Sequence, residues 1–168
     1  MKKKILLSLA LACISIFAFG MLNVSAGTYG SLTYEIKNGE VTITDCKQDA
    51  TEVDIPDRIE EFPVTSIGRS AFSICRDLTS ITIPSSVMSI GDEAFYYCSS
   101  LTSITIPNSV MSIGNGVFHN CSKLSTVYYN GNEQNWNNIG IEKDNDYLNK
   151  AAKEYFWYVT FLDEDGTV

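Results

Sequence analysis

The chain has 168 residues, of which 45% are hydrophobic and 19% charged, and its net charge is −8. That length bounds it to about one domain. The acidic balance argues against partners built on phosphate, such as nucleic acid or anionic lipid headgroups.

The first element is a targeting segment. Lys2, Lys3 and Lys4 precede a charge-free apolar run from Ile5 to Leu22, and Val24-Ser25-Ala26 follows. A positive start, an apolar centre and small residues at the cut form a secretory signal peptide, cleaved after Ala26. The run is also long enough to persist as a membrane anchor, but the Val-Ser-Ala site favours removal. Cys13 reads as part of the apolar run rather than a lipidated residue, because Ile14, Ile16, Phe17 and Phe19 continue it. Removal leaves 9 basic against 20 acidic residues, a net charge of −11, and four cysteines: Cys46, Cys75, Cys98 and Cys121. The expected location is therefore secreted or at the cell surface, with no membrane insertion of the mature chain.

The body of the chain is a repeat. Residues 78–100 and 101–123 agree at 16 of 23 positions. An earlier copy shows Val64-Thr65-Ser66-Ile67-Gly68, Ala71-Phe72 and Cys75 in phase. Its first half, Val53-Asp54-Ile55-Pro56, is set apart by five extra residues around Ile59 to Phe62. A degenerate copy begins at Leu124. In each unit, Leu78 to Ile83 predicts a short strand with one buried face, ended by Pro84. Val87 to Ile90 predicts a second extended piece, and Gly91 a turn with positive φ. Ala94 to Cys98 predicts a tight helical return with Phe95 and Cys98 on one face.

Such a unit cannot bury its own apolar face, so stacked copies must share a core. Ile81, Ile104 and Val127 then form one ladder, and Phe72, Phe95 and Phe118 another. Cys75, Cys98 and Cys121 fall at one repeat position and are expected to stack in the core as free thiols rather than as disulfides or zinc ligands.

The unit L-T-S-I-T-I-P-x-S-V-x-S-I-G-x-x-A-F-x-x-C resembles the BspA-like leucine-rich repeats of bacterial surface proteins. Gly30 to Ile36 with Gly39 to Ile43 is similar to the β-rich leader of that family, and Thr126 to Gly131 with Trp136 and Ile139 to its closing unit. One departure is Ser86 and Ser109, which stand where the general leucine-rich pattern carries asparagine or cysteine. The resemblance implies a scaffold presenting a surface to other proteins, with no enzyme activity, catalytic residue or cofactor.

The expected architecture is an α/β repeat solenoid, mainly β: a right-handed leucine-rich-repeat-like superhelix of 23-residue units and about four turns. The boundaries are 1–26 signal peptide, 27–49 N-terminal β cap, 50–123 solenoid and 124–152 closing repeat. Residues 153–168 form a C-terminal strand or the start of a further domain.

The candidate ligand-binding face consists of the outward strand columns Glu52, Ser80, Ser103, Thr126 and Asp54, Thr82, Thr105, Tyr128. Its expected partner is an extracellular or host protein of unstated identity, bound by a monomer. A structural spacer displaying a further C-terminal module and a carbohydrate-binding module are the alternatives. Tyr96, Tyr97, His119 and Asn120 mark variable positions on the return segment. His119, the single histidine, has Tyr96 and Ser73 as counterparts, so no catalytic column exists. Asp163 to Gly166 fails as a calcium loop because Phe161 would stand at its first ligand position. Glu60 and Glu61 read as solvent-facing, so neither metal nor catalytic residues are expected.

Overall fold

We describe the fold from a computed structural model of the chain. The structure describes residues 24–156, so residues 1–23 of the expected signal segment and the stretch 157–168 lie outside the described residues.

The chain opens as an antiparallel meander of β1 (Ser25–Tyr29), β2 (Leu32–Lys37) and β3 (Glu40–Cys46). The period-two pattern buries Leu32, Tyr34 and Ile36 on β2 and Val41, Ile43 and Cys46 on β3. Asn38 (φ 56°) and Gly39 (φ 80°) make the two-residue turn between them, both left-handed as a tight hairpin requires.

From β3 the chain winds as a solenoid. The first turn holds β4 (Glu52–Asp54), β5 (Arg58–Ile59) and β6 (Phe62–Ile67), and the second β7 (Ser80–Thr82) and β8 (Ser89–Ile90). The third holds β9 (Ser103–Pro107) and β10 (Ser112–Ile113), and the fourth β11 (Thr126–Asn130), α1 (Glu133–Asn137) and β12 (Gly140–Ile141). A fifth consists of α2 (Asp146–Lys150) and β13 (Ala152–Tyr155). The five extra residues of the first unit make the hairpin β5–β6. Glu60 (φ 48°) and Glu61 (φ 67°) form its turn, and the Tyr34 hydroxyl donates to Glu60.

Three sides of each turn stack on the next. On one side, β3, β6, β8, β10 and β12 run parallel, in register except for a shift between Val41 and Thr42 where β3 meets β6. On the second, β4 pairs with β7, and β9, β11 and β13 form a parallel trio. The third side carries no strands. There every second amide donates to the next rung: Phe72 N to Ala94 O, Phe95 N to Val117 O, Ile74 N to Tyr96 O and Tyr97 N to His119 O.

Between the three sides lies one apolar core running the length of the stack. The phenylalanine rings stack face to face, Phe72 on Phe95 at 5.1 Å and Phe95 on Phe118 at 5.4 Å. Cys75, Cys98 and Cys121 are buried beside them as free thiols. The Cys98 and Cys121 thiols donate to the Phe72 and Phe95 carbonyls of the preceding rung at 3.1 and 3.0 Å.

Three expectations are corrected. Among the described residues the solenoid has about five turns rather than four, because Ala152–Tyr155 pairs with β11 residue for residue. The return segment is not helical: it holds two left-handed residues per unit, Ser70 and Ile74, Glu93 and Tyr97, Gly116 and Asn120. These kinks turn the chain flat, so its amides point along the stack rather than back into a helix. Nor does Gly91 have positive φ. It is needed for closeness: a Cβ there would sit 2.8 Å from Arg69 N and 2.9 Å from the Gly68 carbonyl carbon. Gly68 and Gly114 meet the preceding rung in the same way.

The serines in place of asparagine still tie rung to rung. Ser109 Oγ donates to Val87 O at 2.6 Å and Ser86 Oγ to Asp57 O at 3.3 Å. The asparagine that bridges carbonyls in the core is Asn145, just before α2 and 1% exposed. Its Nδ2 faces Gly114 O, Glu142 O and Lys143 O at 2.8, 3.0 and 3.2 Å, and its Oδ1 accepts from Phe118 N at 3.4 Å. It replaces the rung partner that Phe72 and Phe95 find in the following unit. Lys153 ends the column that Val127 continues, and its Nζ donates to the Leu148, Asn149 and Ala151 carbonyls at the end of α2.

Candidate functional site

The strand face is built by alternation. Val53, Ile81, Ile104 and Val127 point into the core, so their neighbours on β4, β7, β9 and β11 point out. Glu52 lies opposite Ser80 and Asp54 opposite Thr82; Ser103 lies opposite Thr126 and Thr105 opposite Tyr128. Glu52, Asp54, Ser80 and Thr82 are exposed, while Ser103, Thr105, Thr126 and Tyr128 are half-buried. The structure thus arranges all eight residues in two columns, interrupted where β7 and β9 pass without a ladder.

The fifth rung extends both columns, to Ala152 and Glu154. Tyr128 also packs on Phe156 at 5.6 Å, and Phe156 is exposed. Sequence reasoning missed Glu154 and Phe156. A C-terminal strand was expected from residue 153, but the alternation Lys153-Glu154-Tyr155 is too short to assign its outward residues to the strand columns. The face therefore carries carboxylates at both ends, Glu52 and Asp54 at one and Glu154 at the other, with an aromatic pair beside the latter.

A second feature lies on the strandless side. Tyr96 stacks on His119 at 5.6 Å and meets Tyr97 edge-on at 4.6 Å. Together with Glu93, Asn115, Gly116 and Asp144, Tyr96 and His119 line an open depression of about 210 Å³. Glu93 is shared with Arg69 at 3.2 Å, an exposed pair worth little to stability. Asp92 lies next to it and accepts from the Asn115 backbone and side chain, which holds its carboxyl below the usual carboxylate range. Glu93 and Asn115 fill the variable positions after the repeat's glycine, so their convergence was not readable from a single unit.

The thiols are placed as core, not as chemistry. Burial pushes Cys121 up to about 12 and Cys98 higher still, so neither supplies thiolate near neutral pH. Among the described residues, no cluster of three or more His, Cys, Asp or Glu side chains is placed to hold a metal ion. Nor is any described helix long and apolar enough to cross a membrane.

Comparison with known proteins agrees with this architecture. Residues 44–143, more than half of the chain, match the BspA type Leucine rich repeat region in six copies. A leucine rich cell surface protein from Faecalibacterium prausnitzii is 33% identical with a TM-score of 0.55, the match covering 60% of this chain and 29% of that one. A leucine-rich repeat protein from Eubacterium ventriosum is 30% identical with a TM-score of 0.51, covering 65% and 27%. One from Bacteroides ovatus is 27% identical with a TM-score of 0.50, covering 76% and 34%. The chain thus spans about a third or less of each of these longer proteins. No curated protein sequence matches it.

Proposed function

The chain belongs to the BspA-type leucine-rich repeat family, and from that premise we propose that it is an exported, non-catalytic module that binds an extracellular protein through its strand face. The observation that carries this reading is the pair of aligned outward columns, with acidic ends and the Tyr128–Phe156 pair at one of them. Such columns set side chains at a fixed spacing along the stack, which suits an extended protein surface. The carboxylates favour a partner with a basic patch, and the aromatic pair supplies the apolar anchor that such interfaces concentrate.

Export and surface display are part of this reading. They rest on the leader sequence, on the acidic mature chain and on the description of the F. prausnitzii neighbour as a cell surface protein. Sequencing the N-terminus of the secreted protein should give Gly27. The non-catalytic reading rests on Cys98 and Cys121 being buried and held protonated and on His119 being stacked against Tyr96.

The test is biolayer interferometry of residues 27–168 against purified matrix and host-surface proteins, beside the variant Glu52→Lys/Asp54→Lys/Tyr128→Ala. Binding should weaken at least tenfold in the variant and with rising salt. Equal affinity in a folded variant would remove the strand face as the site. Absence of any binding partner would favour a spacer role. A second reading, glycan binding, is favoured by the Tyr96–His119 stack with Glu93, Asn115 and Asp144 around it. Tyr96→Ala should abolish glycan capture if that depression is used.

A further inference from the structure

The cysteine column ends differently at its two ends. Cys98 and Cys121 each have a phenylalanine carbonyl of the preceding rung as acceptor. Cys75 belongs to the first repeat, so no such rung precedes it. The meander takes that place, and it brings Cys46, the last residue of β3, to the same backbone carbonyl as Cys75. Both sulfurs lie against one atom, the Lys47 carbonyl oxygen, Cys46 Sγ at 3.6 Å and Cys75 Sγ at 4.0 Å. Sharing that one acceptor brings the two sulfurs to the same spot at the open end of the column. Both residues are buried, at 3% and 1% exposure.

We propose that Cys46 and Cys75 form a disulfide that fastens the N-terminal meander to the first repeat, while Cys98 and Cys121 remain thiols. The oxidant is a small-molecule or protein disulfide of the kind met in oxidising compartments. One cysteine thiolate attacks that disulfide and displaces one thiol. The second cysteine, losing its proton to solvent, then displaces the other. The balance is two protein thiols and one external disulfide converted to one protein disulfide and two external thiols. The direction of attack follows from the pair itself. The neighbouring Cys75 thiol holds Cys46 below the usual thiol range, while Cys46 and burial push Cys75 up. Cys46 is therefore the attacking sulfur. The bond closes as the meander docks, before both sulfurs leave solvent.

A disulfide here encloses the hairpin β5–β6 and the first rung of the solenoid. It constrains the unfolded chain most where the native stack is least repetitive.

The experiment is peptide mapping of the chain from residue 27 onward, refolded in oxidised and reduced glutathione, alkylated without reduction and digested with trypsin. Two of the four thiols should alkylate, and peptide 38–47 should appear joined to peptide 70–76. In addition, reduction should lower Tm by roughly 10 °C, and Cys46→Ala should lose that sensitivity. Four alkylated thiols, or a link involving Cys98 or Cys121, would overturn the proposal. The mapping uses the native sequence, so it decides the matter even if Cys46→Ala fails to fold.

Discussion

Asn145→Ala tests the C-terminal end of the stack. Asn145 is 1% exposed, and its amide joins the third repeat to the closing unit. Truncation leaves Phe118 N–H without its acceptor and Gly114 O without its donor. Lys143 O keeps a bond from Gly116 N. A buried polar group left unsatisfied costs about 1–3 kcal/mol, so two such groups and a small void give a loss of about 3–4 kcal/mol. The assay is equilibrium urea unfolding followed by fluorescence, with buried Trp136 beside Tyr129 (5.3 Å) as a local reporter. Hydrogen exchange at the Phe118 amide gives the local reading and should lose its protection. A loss under about 1 kcal/mol at unchanged m-value would refute the idea that one side chain stands in for a missing rung.

Other outcomes follow from the same contacts. Gly91→Ala should cost about 2–3 kcal/mol, because its Cβ would press on backbone that cannot move aside. Gly30→Ala should cost about 1 kcal/mol, since φ is +61° but nothing lies within 4 Å. Similar losses for the two by calorimetry would discount the close-approach argument. Ile74→Asn should raise stability by about 0.5–1 kcal/mol. Ile74 is β-branched with φ 65° and 41% exposed, and Asn120 already occupies the same position of the third unit; an unchanged or lower Tm would count against it. Stability should also fall at alkaline pH. Cys121 stays protonated to about 12 when folded but ionises near 8.5 when unfolded, so its contribution is full below about pH 8.5 and is lost between there and pH 12. A urea midpoint that is flat from pH 8 to 10.5 would contradict this.

The strands, their inward faces and the phenylalanine and cysteine ladders were legible because repetition states each fact more than once. Ile81 and Ile104 need only one argument between them. What depends on contact between rungs was not legible. Gly91 looks like a turn residue within its own unit, and its true constraint, the backbone of Arg69, lies on the preceding turn. The return segment looks helical from Phe95 and Cys98 alone, yet its amides find partners on the next copy. Asn145 and Lys153 occur once each, where the pattern has lapsed, and no periodicity marks them. Of the strand face, the eight outward positions followed from alternation, whereas Glu154 and Phe156 required the fifth rung to be seen.

The interlocking of successive units also bears on how such a chain changes over generations. Ties between units 78–100 and 101–123 recur from rung to rung, as Cys98 Sγ to Phe72 O and Cys121 Sγ to Phe95 O do, so a further copy spliced between Ser100 and Leu101 would meet familiar neighbours on both sides. The meander at one end and Asn145 at the other would be undisturbed. Gain or loss of a whole unit can then lengthen or shorten the protein in steps of about 4.8 Å. Reach becomes a heritable quantity that varies without redesign of either terminus.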